Sequence, residues 1–232
     1  MSKTRKVILF VLEGPSDETA LGGLFERIFD SSTVKFDIIH GDITTSYRST
    51  EKIREHLRRA IIDHLSQDLG YSWRDLERVV LICDSDGVFI PDDNVCESED
   101  GRLHYGAECI FAGNRELICN RNKKKSDALR KLIGVSELTY NKCKVPLSVY
   151  FLSRNLEHAL SNKPGECGDF EKEELARKFA RKYRNDIGGF VSYLRNDLAV
   201  EGDYKQTWDY LAEGTNSLSR CSNLHLVLPE TL

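Results

Sequence analysis

The stretch Lys6-Val-Ile-Leu-Phe-Val-Leu-Glu13-Gly14-Pro-Ser16-Asp17-Glu18 decides the fold of this chain. Its first seven residues are mostly apolar, which is typical of a buried strand. Gly14 allows a tight turn, and Ser16 or Asp17 is placed to cap a helix that we expect over residues 16–29. Glu13 therefore lies where a strand ends and a helix begins, the usual position of a site in an open α/β sheet.

A second segment repeats this arrangement, because the apolar run of residues 77–83 ends in Asp84-Ser-Asp86-Gly87. If the two strands are parallel neighbours, Glu13, Asp84 and Asp86 converge on one edge of the sheet. Carboxylates in such proximity repel one another, and a divalent cation removes the conflict. Their hard oxygen atoms favour Mg²⁺ or Mn²⁺. Replacing Asp86 by Asn is accordingly expected to leave the fold intact and to stabilise the metal-free protein slightly.

The two motifs resemble those of the TOPRIM domain, which is shared by topoisomerases, bacterial primases, small RNA-maturing nucleases and the nucleases of OLD-type phage-defence systems. The resemblance covers about residues 6–155. It implies an α/β, Rossmann-like fold with a partly parallel sheet flanked by helices, and phosphoryl-transfer chemistry that depends on a divalent metal. It also implies Glu13 as an acid/base or metal-proximal residue, and Asp84 and Asp86 as metal ligands that carry the catalysis.

The chain departs from the family pattern in several places. Pro15 stands after Gly14, where many family members carry a basic or polar residue that contacts phosphate. No tyrosine-bearing cleavage domain or zinc-finger primase module surrounds the two motifs, which disfavours a topoisomerase or a primase. No Walker A loop is present either, so the sequence lacks the ATPase half of an OLD protein.

Two further carboxylates are candidate metal ligands. Asp17 has two interpretations, a cap in the first helical turn or a second metal ligand. Glu157 follows an apolar run at residues 146–152, and it is a candidate to complete a two-metal site, with Arg154 beside it to hold phosphate. The alternative for Glu157 and Arg154 is an exposed first turn of a helix.

The net charge of −4 is unevenly distributed. Acidic residues outnumber basic ones in the first hundred positions, and basic residues are in excess afterwards. The strongest basic excess lies in residues 102–131 and includes Arg121, Lys123, Lys124 and Lys125. A basic segment that follows an acidic metal site suits a nuclease, because these side chains bind backbone phosphates. The alternative is a solvated loop or helix face.

The chain of 232 residues is expected to form a TOPRIM-like catalytic domain at residues 1–160 and a helical C-terminal extension at residues 161–232. Residues 88–122 lack sustained periodicity, which indicates an insertion, and a short helix is expected after them at residues 126–133. No apolar stretch reaches the roughly 18 residues that span a bilayer, so no membrane partner is expected. The seven cysteines are odd in number and widely spread, which favours the reducing cytoplasm.

Two functions from different classes follow from these patterns. The first is a nuclease that depends on Mg²⁺ or Mn²⁺ and cleaves DNA or RNA, tRNA included, as an effector of bacterial anti-phage defence. The second is a non-catalytic or partner-activated TOPRIM subunit that binds an ATPase sensor. In the second case the C-terminal helices, from residue 170 onward, would provide a docking surface or a surface for homo-oligomers.

Overall fold

The first strand, β1 (Lys6–Leu12), lies where the sequence predicts it. All of its residues after Lys6 are buried, and its β-branched and aromatic side chains favour extended backbone with both faces covered. Phe10 stacks on Phe25 in the helical segment that follows, with ring centroids 5.0 Å apart. The computed structural model describes residues 6–29, 34–40, 43–44, 52–67, 70–163, 165 and 167–229.

Strands and helices alternate along much of the chain. In chain order they are β1, α1 (Pro15–Asp17), a π-helical segment (Glu18–Gly22), α2 (Gly23–Phe29), β2 (Val34–His40), α3 (Ile53–Leu65), β3 (Leu76–Asp84), β4 (Val95–Glu97), β5 (His104–Tyr105), β6 (Ile110–Ala112), α4 (Arg115–Ile133), β7 (Glu137–Tyr140), β8 (Cys143–Leu152), α5 (Leu156–Ser161), α6 (Asp169–Tyr183), α7 (Ile187–Asn196) and α8 (Tyr204–Leu211). Across the ranges that the structure describes, no helix has the length and apolar character needed to cross a membrane.

Five strands form one mixed sheet in the order β2-β1-β3-β8-β7. Strand β1 pairs in parallel with both β2 and β3, whereas β7 and β8 form an antiparallel hairpin. The predicted α/β class, with a partly parallel sheet and flanking helices, is therefore confirmed, and it is compatible with a Rossmann-like fold. The prediction that β1 and β3 are parallel neighbours is confirmed as well, with Val11 opposite Leu81.

The chain forms two compact units that interleave in sequence. The first comprises Met1–Cys83 and Ala128–Val149, and the second comprises Asp84–Asp127 and Tyr150–Leu232. The first unit holds β1, β2, nearly all of β3 and the β7–β8 hairpin up to Val149. The second holds the three short strands β4, β5 and β6 and the helices α5 to α8. The sequence-based division instead places one domain before residue 160 and the other after it. Its assignment of catalysis to the first of these domains stays a prediction.

The second unit contains regular structure in a segment whose sequence lacks sustained periodicity. Strands β4 and β6 pair in parallel and β5 and β6 antiparallel, which gives a three-stranded sheet within residues 88–122. Helix α4 begins at Arg115 rather than near residue 126, and Asn114 Oδ1 caps it by accepting a hydrogen bond from Leu117 N at 3.0 Å. The expectation that residues 88–122 form an insertion stays a prediction. Such short strands are stabilised by their pairing and by a shared apolar core, which local periodicity does not reveal.

The helices expected in the C-terminal region are present as α6, α7 and α8. Aromatic side chains of α6 and α7 pack against one another, with ring centroids 6.1 Å apart for Phe179 and Phe190 and 5.6 Å apart for Tyr183 and Tyr193. Phe179, Tyr183 and Phe190 are buried inside the second unit. These apolar side chains therefore belong to the core of the second unit. The expectation that the C-terminal helices provide a surface for a partner stays a prediction.

Candidate active site after strands β3 and β8

The turn that follows β3 is held to the turn that follows β8 by backbone hydrogen bonds. Ser85 N donates to Leu152 O at 2.9 Å, and Asp86 N donates to Arg154 O at 2.8 Å. Ser85 is fully buried, and its hydroxyl oxygen accepts from Arg154 N at 3.0 Å. The two turns are thus joined by hydrogen bonds within the second unit, with Asp86 and Arg154 in them and Asp84 directly before the first.

Both turns contain a residue in the left-handed backbone region. Asp86 has φ 48° and Arg154 has φ 54°, and Gly87 follows Asp86 with φ 65°. For a residue with a Cβ atom this conformation costs about 1–2 kcal/mol. Such strain persists only where surrounding contacts enforce it, and it is concentrated at functional sites. A Cβ on Gly87 would lie 2.5 Å from Leu218 Cδ2, so glycine is required there for space as well.

Helix α4 holds Asp86 from one side through two cationic side chains one turn apart. Lys125 Nζ lies 2.6 Å from Asp86 Oδ2, and Arg121 Nη2 donates to Asp86 O at 3.1 Å. The Lys125 side chain is only 2% exposed, whereas 29% of the Asp86 side chain remains accessible. An ammonium group so deeply buried requires a paired anion, and Asp86 supplies it.

Arg154 uses its guanidinium group inside the protein. Its Nε donates to Leu218 O at 3.0 Å, its Nη2 donates to Gly106 O at 2.7 Å, and the group lies over the Tyr105 ring at 5.5 Å. Burial lowers the pKa of this guanidinium from its usual value. The side chain thereby fastens the turn after β8 to two other segments, and its predicted contact with phosphate stays a prediction.

Glu157 lies in α5, a six-residue helix that begins just after this turn. Asn155 Oδ1 caps the helix by accepting from His158 N at 2.9 Å. Glu157 is 3% exposed, and its role as a metal ligand stays a prediction. Beside it, burial, and then the charge of Arg154, lowers the pKa of His158 to about 4.

Glu13 and Asp17 belong to the first unit. Glu13 follows β1 directly, and its Oε1 accepts a hydrogen bond from Thr44 Oγ1 at 2.9 Å. Asp17 is buried, and its Oδ2 accepts from Gly14 N at 2.8 Å. The capping interpretation of Asp17 is thus realised in the structure, and its role as a metal ligand stays a prediction. The same holds for the predicted meeting of Glu13 with Asp84.

The five side chains predicted to bind nucleic acid separate into two groups. Lys123 and Lys124 are exposed on α4. Arg121, Lys125 and Arg154 have partners within the second unit, and Arg121 also donates to Asn122 Oδ1 at 2.8 Å and Tyr105 Oη at 3.3 Å. On a helix, positions 121 and 125 share one face and positions 123 and 124 point elsewhere. The basic run is therefore divided between a face of α4 that contacts the second unit and a face that is exposed.

The donor atoms at these turns suit Mg²⁺ or Mn²⁺ in type, since Asp84, Asp86 and Glu157 offer carboxylate oxygens. They are not assembled into a ligand set: within the described ranges, no three His, Cys, Asp or Glu side chains form a group that could hold a metal. The oxygen atoms thus suit a divalent cation in type. One carboxylate oxygen of Asp86, however, is paired with the ammonium group of Lys125.

Sequence reasoning missed Ser85, Thr44 and the internal role of Lys125. Ser85 stands between the two aspartates, where the motif marks the position as variable. Thr44 is distant from Glu13 in sequence, so only the fold brings them together. Lys125 carried a usable signal, because a helix that starts at Arg115 places residues 121 and 125 on one face. Comparison of this chain with protein-family models, with curated proteins and with solved structures gave no match.

Proposed function

We propose that this chain is a divalent-metal-dependent nuclease that cleaves phosphodiester bonds of nucleic acid. The observation that carries the proposal is the pair formed by Asp84, the last residue of β3, and Asp86 in the turn that follows. Asp86 there adopts a strained left-handed conformation, which contacts from α4 and from the turn after β8 maintain. Carboxylates at the carboxyl end of a parallel strand stand where open α/β sheets usually place their functional sites.

The residues of the chain divide the work as follows. Asp84, Asp86 and Glu157 provide oxygen ligands, and a bound Mg²⁺ or Mn²⁺ would polarise the phosphodiester and lower the pKa of a water molecule. Lys123 and Lys124, exposed on α4, bind backbone phosphates without regard to sequence. Glu13 follows β1, the parallel neighbour of β3, and the resemblance to the TOPRIM domain supports an acid/base role for it.

The wider role that we propose, an effector of bacterial anti-phage defence, rests on the resemblance alone. The same is true of control by an ATPase partner. Both are compatible with a nuclease whose activity is conditional, because an unrestrained nuclease would damage the cell that makes it.

Incubation of the purified chain with Mn²⁺ and a panel of plasmid DNA, single-stranded DNA and total RNA that includes tRNA tests the proposal. We expect cleavage of at least one substrate and its loss on chelation. Asp84→Asn is expected to lower the rate by about 100-fold or more, since it removes a charged ligand. Asp93→Asn, at an exposed carboxylate of the second unit, is the matched control. Equal cleavage by Asp84→Asn would refute the assignment, and an inactive wild-type chain would favour the partner-activated alternative.

A further inference from the structure

Two cysteines, Cys96 and Cys109, lie on adjacent strands of the three-stranded sheet in the second unit. In the parallel pairing of β4 with β6, Cys96 stands opposite Phe111. Gly106 N donates to Cys109 O at 2.8 Å, which extends the antiparallel pairing of β5 with β6 by one position to include Cys109. Because side chains alternate between the two faces of a sheet, Cys96, Cys109 and Phe111 share one face.

This shared face is the accessible one. On the opposite face, Val95, Ile110 and Ala112 belong to a buried apolar core, whereas both cysteines are free and only partly buried. Asn94 Nδ2 donates to Glu108 O at 2.9 Å, so the two segments are joined just before each cysteine. The sheet therefore presents both thiols where a small oxidant can reach them.

The two thiols are also in contact with each other. The Cys109 thiol is hydrogen-bonded to Cys96, and this bond, followed by burial, raises the pKa of Cys109. A thiol that is held in its protonated form is a poor nucleophile, so Cys109 is suited to react second, with a sulfur that has already reacted at Cys96. Closing a disulfide requires the two sulfur atoms to approach from hydrogen-bonding contact to about 2 Å.

We propose that Cys96 and Cys109 form a reversible disulfide, with a low-molecular-weight disulfide such as oxidised glutathione as the oxidant. The Cys96 thiolate attacks one sulfur of oxidised glutathione, forms a mixed disulfide and releases one glutathione thiolate. The Cys109 thiolate then attacks the Cys96 sulfur, and the second glutathione thiolate leaves. The chain thereby loses two electrons and two protons, which the two released glutathione molecules take up.

The disulfide would close beside a hairpin that contacts the candidate site. Gly106, which pairs with Cys109, also accepts a hydrogen bond through its carbonyl oxygen from Arg154 Nη2 at 2.7 Å. A covalent bond between β4 and the segment before β6 therefore restrains a segment that Arg154 contacts. In a reducing compartment the pair stays as two thiols, so the disulfide would report a rise in the level of oxidant. This modification does not depend on the proposed nuclease activity.

Incubation of the full chain with oxidised glutathione, followed by digestion with trypsin under non-reducing conditions, tests the proposal. Trypsin cuts after Arg78, Arg102 and Arg115, so the two cysteines fall in separate peptides, residues 79–102 and 103–115. We expect mass spectrometry to find these two peptides linked in the wild type, and dithiothreitol to release them. Electrophoresis without reductant should show the linked protein as a single chain.

The link should be lost in both Cys96→Ser and Cys109→Ser, which distinguishes Cys96 from Cys83 in the same peptide. Cys109→Ser is expected to keep glutathione attached to Cys96, because the thiol that displaces it is gone. Cys143→Ser is the matched control, since Cys143 is a partly exposed cysteine of the first unit and should leave the link unchanged.

A wild-type chain whose two peptides stay unlinked in excess oxidised glutathione would overturn the proposal. A link that forms only between two chains would overturn it as well, and so would a link that persists in Cys96→Ser. Because the wild-type digest is decisive by itself, a variant that fails to fold leaves the test intact.

Discussion

Asp86 joins three contacts in one residue: its backbone N–H is bonded to Arg154, its carbonyl to Arg121 and its carboxylate to Lys125. We expect Asp86→Asn to lower the free energy of unfolding by about 3–5 kcal/mol, because it removes the anion that lies 2.6 Å from the buried ammonium of Lys125. Urea unfolding of the metal-free protein measures the change. The sequence-based expectation of a slight stabilisation assumed an unpaired carboxylate, and the Lys125 pair removes that assumption.

The matched control for this prediction is Asp93→Asn. Asp93 is fully exposed and lies 3.9 Å from the partly exposed Arg115. Solvent screens such a pair, so the control should unfold at nearly the wild-type urea concentration. Equal stability of both variants would mean that the charge of Lys125 is neutralised in another way.

Gly87 is required by two independent constraints, a φ of 65° and the closeness of Leu218. Gly87→Ala is expected to destabilise the protein by the backbone cost of about 1–2 kcal/mol plus the cost of moving the Leu218 side chain. Gly101→Ala separates the two effects, because Gly101 has φ 71° but no atom within 4 Å of its added Cβ. The difference in the free energy of unfolding between Gly87→Ala and Gly101→Ala, measured by chemical denaturation, gives the cost of the contact with Leu218. A smaller effect at Gly87 than at Gly101 would contradict this packing.

His158 gives the protein a predictable acid sensitivity. Its pKa in the folded state is about 4, against 6.5 for an ordinary histidine, owing first to burial and then to Arg154. The folded state therefore resists protonation, while the unfolded chain takes up the proton below pH 6.5. The stability contributed by the neutral ring is complete above pH 6.5 and declines as the pH falls towards 4, by up to about 3 kcal/mol.

Unfolding curves recorded between pH 4 and pH 7 measure this decline. His158→Gln should show a shallower loss of stability over the same interval, since glutamine does not titrate. The exposed His104, replaced in the same way, is the control and should keep the wild-type slope. An identical slope in His158→Gln and in the wild type would show that the ring does not govern the acid response.

At the scale of elements, helix α4 has lysines on a buried face and on an exposed face. The exposed Lys123 and Lys124 are expected to bind nucleic-acid backbone, whereas Lys125 is not. In Lys123→Met/Lys124→Met the log–log slope of affinity against salt should fall by about one unit for each phosphate that the variant no longer binds. Fluorescence anisotropy with unrelated DNA and RNA sequences measures the slope. Lys144→Met, at an exposed lysine of the first unit, is the control, and an unchanged slope in the double variant would mark this face as merely solvated.

The sequence predicted some elements well and others poorly, for physical reasons. Strand β1 was predicted with the observed bounds because both of its faces are buried and its apolar run is unbroken. The β7–β8 hairpin was not foreseen. Its turn residues Asn141 and Lys142 both have positive φ, and a lysine in that position lacks the glycine signal of such turns. The start of α4 was missed because a polar and basic run at residues 120–125 separates its first apolar residues from the apolar stripe of its last turns.

At the scale of the whole molecule, the chain passes between its two units at residues 83/84, 127/128 and 149/150. Each passage lies within a regular element, namely β3, α4 and β8. The position of Asp84 and Asp86 at a strand end could be predicted from the sequence, because strand ends follow from local patterns. The partners of Asp86 could not, since Lys125 and Arg154 reach it only through the fold of the second unit.

The fragment of residues 1–160 is expected not to fold natively, although the sequence marks it as a candidate catalytic domain. Within the second unit, Phe151 packs on Trp208 with ring centroids 4.9 Å apart, and Phe151 N donates to Asn223 Oδ1 at 2.8 Å. Removing residues 161–232 exposes these groups. Circular dichroism during heating should show no cooperative transition for the fragment. A sharp transition, together with Mn²⁺-dependent cleavage, would establish residues 1–160 as an independent domain.

The bonds between the turn after β8 and residues 218–223 also bear on how the protein is made. Ser153, Arg154 and Phe151 take their partners from Cys221, Leu218 and Asn223. A chain still attached to the ribosome cannot order this turn until residues 218–223 have emerged from the exit tunnel. Translation thus delays assembly of the turns that carry Asp86 and Arg154 until this late segment of the second unit has been synthesised.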